Sequence, residues 1–399
     1  SISWQKINTG IPTVQVRAHV ALTPSPATNP IDDIYAATDG YGVYKTINGG
    51  VSWSAINGSG GGALPCLDVR SIAVPVASPR TLLVSTWCRN NSGVFQSTDD
   101  GLNWNRVGPL PPAPGALPLD VQSSALLRSG SGAITGTTIL FLATANYGIF
   151  KSTDGGANWA TANSGITGTY AFNVAFSGAS GSAELLAYVH GSGIYRSSNT
   201  GASWTPSNAG LPVPDLAALG GINRQSGQTL YIALDKQGIY KTIDGGKNWK
   251  RVLGDDEWTG ATDLLIDPRE PRRLYAATWQ RHRSVAAYIG GGPGSAIYRS
   301  EDGGETWEKL ANGLPGSDMG KIGLAISPQQ PDVVYAAIEL ERRTGGVFRS
   351  NNRGAAWTKM SDAVAGGTGP HYYQELYASP HQFDKLFLVD VFMQVSENG

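Results

Sequence analysis

Apolar positions along the chain fall in short segments separated by polar turns that contain Gly. One phrase recurs at the end of each group of segments: an apolar-aromatic-basic triplet, then Ser or Thr, any residue, Asp or Asn, any residue, Gly, two more residues and Trp. It reads "VYKTINGGVSW" at Trp53, "VFQSTDDGLNW" at Trp104, "IFKSTDGGANW" at Trp159, "IYRSSNTGASW" at Trp204, "IYKTIDGGKNW" at Trp249, "IYRSEDGGETW" at Trp307 and "VFRSNNRGAAW" at Trp357. Apolar alternation, a Gly-containing polar turn and a strand bearing Trp make a β-hairpin signature. In such a turn the Asp or Asn side chain accepts backbone N–H groups, Gly supplies a backbone angle other residues resist, and Trp packs the hairpin. Two further apolar segments precede each hairpin, as in "KIGLAISP" and "DVVYAAIE" ahead of Trp357. Four strands in about 50 residues is the size of one propeller blade.

Joining the two ends of the chain yields an eighth copy. Ser396-Glu397-Asn398-Gly399 followed by Ser1-Ile2-Ser3-Trp4 keeps the register, with Ser1 where the other copies carry Gly. The expected fold is therefore all-β: a single eight-bladed β-propeller of four-stranded antiparallel blades. It forms one domain over 1–399, and residues 1–8 complete the last blade with about 371–399. Pairing of the two ends would close the ring and leave no edge between blades. No Ser- or Pro-rich linker interrupts the repeat, and "VGPLPPAPGALPLD" lies where every blade has its connecting loop.

Composition narrows the function. Charged residues are 15% of the chain and the formal net charge is −1, so no electrostatic pull toward nucleic acid or an anionic membrane is visible. No run approaches the roughly 18 apolar residues of a membrane span. Ser1 is compatible with the first residue left after removal of a signal peptide. The two cysteines, Cys66 and Cys88, are expected to face each other across one antiparallel ladder and form a disulfide, which points to an extracellular or periplasmic location. No zinc-spaced His pair, phosphate-binding Gly-Lys-Ser loop or Gly-x-Ser-x-Gly elbow occurs, and neither a cofactor nor a metal is expected.

The recurring phrase resembles the Asp-box, or BNR, repeat of sialidases, sortilin-type receptor domains, photosystem assembly propellers and xyloglucan-cleaving glycoside hydrolases. That resemblance implies a propeller and leaves the activity open. Over residues 250–399, "ATWQRHRSVAAYIGGGPGSAIYRSEDGGETW", "DMGKIGLAISP" and "GGTGPHYYQELYASPH" are similar to bacterial secreted BNR or sortilin-like glycosyl hydrolase-type proteins, which are usually far longer. The chain thus reads as a fragment, a natural short form or a fusion. "YAATDGYGVYKT" resembles the segment of xyloglucan-cleaving enzymes that carries a catalytic Asp, which corresponds to Asp39 here. Those enzymes hold their second carboxylate on a second propeller. Sialidase chemistry would require three arginines and a Tyr nucleophile in a six-bladed ring, which the blade number disfavours.

Strand order assigns the loops to faces. The staples share one face, and the long loops "VLGDDEWTGATD", "TWQRHRSVAAYIGGGPGS", "ANGLPGSDMGKIG" and "SDAVAGGTGPHYYQE" gather on the other, where repeat arrays bind their ligands. Trp279, Arg281, His282, Arg283, Tyr288, Lys321, His371, Tyr372, Tyr373 and Glu375 lie in or beside those loops and are the expected ligand-binding residues. Rings would stack on sugar faces, and guanidinium groups would bond hydroxyls or carboxylates. Asp255, Asp256 and Glu257 read as a solvated acidic loop. The expectation is a secreted binding module for polysaccharide or an extracellular protein, with a glycoside hydrolase related to xyloglucan-cleaving enzymes, or a structural subunit of an extracellular assembly, as alternatives.

Overall fold

The computed structural model describes all residues except 1–2, 8, 13–15, 22–33, 77–80, 89–92, 108–119, 128–138, 146, 155–157, 177–183, 213–218, 227, 235, 255–257, 284–287, 341–343, 365–374, 381 and 390–392. Among the described residues there are eight four-stranded antiparallel sheets and one two-stranded ribbon. The chain forms two compact units, Asn8–Asn208 and Ser1–Ile7 with Ala209–Gly399.

The Asn8–Asn208 unit holds the first four sheets. The first consists of Val16–Ala21, Ile34–Thr38, Gly42–Thr46 and Ser54–Ala55, and the fourth of Ala171–Phe176, Leu185–Val189, Gly193–Ser197 and Thr205–Pro206. The other unit holds the fifth to eighth, starting with Leu219–Ser226, Thr259–Ile266, Ile322–Ile326 and Glu375–Ala378. The eighth sheet takes its outer strand from the far terminus: Gln5–Lys6 pairs with Met393–Ser396, with Gln5 opposite Val395 and Lys6 opposite Gln394. Of the expected 1–8, residues 1–2 and 8 lie outside the described residues.

Second strands are sequestered almost completely, as in Ile34–Thr38, Leu185–Val189 and Val334–Glu339, because both faces of each sheet are covered. Their sequences, IYAAT and VYAAIE, place small Ala beside large Tyr. Tyr35, Tyr231 and Tyr335 are at most 1% exposed. Each phenol reaches the following sheet, donating to Asp100, to the Gly303 carbonyl at 2.8 Å and to Asp384 at 3.1 Å, respectively. Basic residues of the recurring triplet run the same way. Lys45 pairs with Asp100, Lys241 with Glu305 at 2.6 Å and Arg349 with Asp384 at 3.0 Å, while Lys151 donates to the Thr200 carbonyl at 2.7 Å. The triplet's charge therefore ties neighbouring sheets together.

Each staple is a closed hydrogen-bond cycle. The Ser or Thr hydroxyl donates to Oδ1 of the Asp or Asn two residues on, at 2.7–3.1 Å in all eight copies. That oxygen accepts the N–H four residues further on, at 2.8–3.0 Å, and in the eighth copy this N–H belongs to Ser3, bonded to Asn398. The hydroxyl also accepts the N–H of the staple glycine, as between Ser300 and Gly304 at 2.7 Å. Asp302 is held below the usual carboxylate range by the Thr306 hydroxyl and N–H. Ser300 is 1% exposed, so Ser300→Ala strands a buried N–H and is expected to lower stability by about 1–3 kcal/mol. Asp302→Asn keeps the Oδ1 acceptor, as Asn does at positions 48, 199, 352 and 398, and should change stability by under about 1 kcal/mol. Urea denaturation of the two variants tests this contrast.

Candidate functional site

First strands begin, and second strands end, on the side away from the staples. In the Ala209–Gly399 unit this side of the sixth sheet carries an added ribbon, in which His282 and Arg283 of one strand lie opposite Ile289 and Tyr288 of the other. Trp258, 38% exposed, stacks on the His282 ring with centroids 4.7 Å apart and planes inclined at 25°. Arg281 donates its N–H to the Trp258 carbonyl at 2.9 Å. Trp279 departs from the expected role of a stacking platform. It is 2% exposed, its Nε1 donates to the Gly290 carbonyl at 2.8 Å, and the Arg281 guanidinium lies 4.9 Å from its ring centroid. The indole thus anchors the ribbon, and Trp258 presents the open ring.

A second group lies where the sixth, seventh and eighth sheets meet. Lys321, just before the seventh sheet, pairs with Glu375 of the eighth at 3.0 Å. Asp263, half-buried on the sixth sheet, accepts the Leu324 N–H of the seventh at 2.9 Å. Burial pushes its carboxyl up to about 7; Glu375 adds to the rise, and the Leu324 N–H and Lys321 oppose it. His371, Tyr372 and Tyr373, and the acidic loop Asp255, Asp256 and Glu257, lie outside the described residues, and of Arg283 and Tyr288 only the strand positions are described. Among the described residues no group of three or more His, Cys, Asp or Glu side chains is arranged to hold a metal ion.

The Asn8–Asn208 unit carries its own open residues at the corresponding loop ends. Asp39 stands directly after the strand Ile34–Thr38, in the turn that also holds Tyr41, which is 46% exposed. In the second sheet the chain passes from Val69–Val76 to Thr81–Thr86, and Trp87 follows. Trp87 is 38% exposed; the Arg70 guanidinium sits 4.4 Å from its ring centroid and is fixed by Asp68 at 3.0 Å. Cys66 and Cys88 are joined, with Cα atoms 6.0 Å apart, and flank this ladder just beyond the two strands. In the fourth sheet, Tyr170 lies 5.6 Å from His190 and 6.2 Å from Phe172, and both Tyr170 and Phe172 are exposed. Open rings beside hydroxyl, guanidinium and carboxyl groups form a surface suited to stacking on sugar rings and bonding their hydroxyls.

Sequence reading missed these aromatics as ligand contacts: Tyr41 stands out only as a neighbour of Asp39, Trp87 and Tyr170 border strands in stretches with no motif, and Phe172 belongs to the strand Ala171–Phe176. It also missed Asn57, Asn163 and Asn208, four residues after a staple Trp. Each accepts an N–H of the adjacent strand through Oδ1 at 2.7–2.8 Å and donates through Nδ2 to the carbonyl of Tyr41, Tyr147 or Ser192. The repeated W-x-x-x-N spacing is the signal that would have found them.

Stapled four-stranded sheets of this kind define an all-β, propeller-like chain with BNR/Asp-box repeats, and the family model for the BNR/Asp-box repeat matches residues 298–309. Among characterised relatives, the chain is 30% identical over 158 residues to the xyloglucanase Xgh74A of Acetivibrio thermocellus; the match covers 37% of this chain and 18% of that enzyme. The chain thus spans under a fifth of the curated relative it matches. In structure it is similar to a GH74 xyloglucanase from Xanthomonas campestris, with TM-score 0.51 and 16% identity over 100% of this chain and 74% of the other. It is also similar to YCF48 bound to a D1 peptide, with TM-score 0.51 and 15% identity over 100% of both chains.

Proposed function

We propose that this chain is a glycoside hydrolase-type propeller related to the xyloglucanases and acting on a polysaccharide outside the cell. The observation that carries the reading is the sequence match to a xyloglucanase, and the chemistry of the loop ends agrees with it. Asp39 supplies one of the two carboxylates that glycoside hydrolysis requires. Tyr41, Trp87 with Arg70, Tyr170 and Phe172 hold sugar rings in its unit. In the other unit Trp258, Arg281, His282, Arg283, Tyr288, Lys321 and Glu375, with His371, Tyr372 and Tyr373, bind sugars. The joined cysteines support an oxidising compartment. We take the eight sheets as blades of one ring, a reading supported by the eight staples and by similarity over the whole length of other propeller-like chains.

Relative to a binding module alone, the xyloglucanase match shifts the weight to hydrolysis. Incubation with xyloglucan is expected to release reducing ends, and Asp39→Ala should lower that rate by 100-fold or more while leaving retention in affinity electrophoresis intact. Retention without release by the unaltered protein would favour the binding module. Neither release nor retention would overturn both readings.

A further inference from the structure

Between the first two sheets, the segment 64–68 links chain stretches that carry exposed apolar side chains. Leu64 is buried in the core these sheets share and donates its N–H to the Asn57 carbonyl at 2.8 Å. Three residues on, the Leu67 carbonyl accepts the Gly42 N–H at 2.7 Å, next to Tyr41, and the Asp68 carbonyl accepts the Trp87 N–H at 2.8 Å. Tyr41, Leu67 and Trp87, all exposed, are thus carried on neighbouring stretches of backbone. The Asp68 carboxylate holds Arg70, whose guanidinium lies 4.4 Å from the Trp87 ring centroid. Cys66 stands within the segment and Cys88 directly after Trp87, so the disulfide fastens the far side of the ring-bearing residue to the same segment.

The fourth sheet supplies an internal comparison. Gly148 donates its N–H to the Thr169 carbonyl at 2.6 Å and His190 to the Tyr170 carbonyl at 2.9 Å, the same two bonds at the same places in the ladder, with no disulfide beside them. There the ring of Tyr170 stands on the incoming segment, which runs straight into the strand Ala171–Phe176. In the second sheet the ring stands on the outgoing chain, past the end of Thr81–Thr86, where a ladder opens first. At such an end the Trp87 N–H bond can open, and a covalent bond one residue further on keeps it closed. We propose that the Cys66–Cys88 disulfide is a positioning element of the candidate site: it holds Trp87, with Arg70, in fixed register with Tyr41, so that one extended sugar chain contacts both rings. The inference rests on the reading of these rings as sugar contacts, and it gives the disulfide a part in binding as well as in stability.

Hydrogen–deuterium exchange of the unaltered protein and of a double variant, Cys66→Ser with Cys88→Ser, tests the positioning. Exchange is expected to quicken roughly tenfold or more at the Gly42 and Trp87 amides and to stay unchanged at Gly148 and His190, the equivalent amides without a disulfide. Retention by xyloglucan in affinity electrophoresis should weaken to a similar extent. Asp68→Ala, with the disulfide intact, should also weaken retention by releasing Arg70, whereas Asp68→Asn, which keeps an oxygen for the guanidinium, should largely preserve it. Unchanged exchange at Gly42 and Trp87, equal quickening at all four amides, or retention undiminished in the double variant or in Asp68→Ala overturns the proposal. Absence of retention by the unaltered protein overturns the sugar reading instead, and the exchange contrast then decides whether the disulfide positions Trp87. If the double variant fails to fold, reduction of the folded protein with a phosphine takes its place in both measurements.

Discussion

Removal of residues 1–7 is expected to destabilise the Ala209–Gly399 unit by about 5 kcal/mol. Ile7 is 1% exposed, and withdrawing such a side chain from water contributes about 1.5–3 kcal/mol. Trp4 packs against the shared core of the seventh and eighth sheets, which includes Leu376, Leu386 and Leu388, and donates Nε1 to Ser361. The Ser3 N–H closes the eighth staple on Asn398, and Gln5–Lys6 covers the edge of Met393–Ser396. Each lost hydrogen bond adds about 1 kcal/mol. Since whole domains are stable by about 5–15 kcal/mol, the truncated protein should show a separate early transition in chemical denaturation. The uncovered strand should also promote self-association, visible by size-exclusion chromatography. Trp4→Phe, which loses only the indole N–H, serves as the milder control. A denaturation curve unchanged by the truncation would mean that the two termini contribute nothing to holding the eighth sheet.

The repeating parts of this fold are local, which is why they were legible. A staple needs only Ser or Thr, Asp or Asn, Gly and Trp at fixed offsets, and the same offsets continued from Asn398 to Trp4 identified the outer strand of the eighth sheet. Features set by several sheets at once were not legible. Trp279 looked like a ligand platform because it stands in a long loop, yet whether its indole meets solvent or the Gly290 carbonyl depends on how the ribbon folds back. The bulge at Val252 has no sequence mark, since Val252 resembles any outer-strand residue; it shows only in the pairing of Arg251 with Tyr240 and of Leu253 with Ile239. Lys45, Lys241 and Arg349 read as one basic position of a motif, and only the neighbouring sheet reveals what each one pairs with.

Asp263 carries the largest expected pH effect. In the sequence it is one acidic residue in "GATDLLIDP", and its unusual state arises from the seventh and eighth sheets packed against the sixth. The groups facing it are the Leu324 N–H at 2.9 Å, the Leu264 N–H, the Lys321 ammonium, the Glu375 carboxylate and the Tyr377 phenol. Its carboxyl titrates near 3.8 in the unfolded chain and near 7 when folded, so between those values the folded state holds a proton that the unfolded state has released. Stability is therefore expected to fall as pH rises from about 4 to 7, and the loss is complete above 7. The interval corresponds to roughly 4 kcal/mol. Asp263→Asn keeps an oxygen for the Leu324 N–H and has no proton to lose. It should match the unaltered protein at pH 4.5 to within about 1 kcal/mol and exceed it at pH 8.5 by several kcal/mol. Urea midpoints of the two proteins across that range measure the difference directly, with other titrating groups cancelling between them. Parallel curves would mean that the folded carboxyl ionises at its ordinary pH, and that its bond to the Leu324 N–H outweighs the burial acting against it.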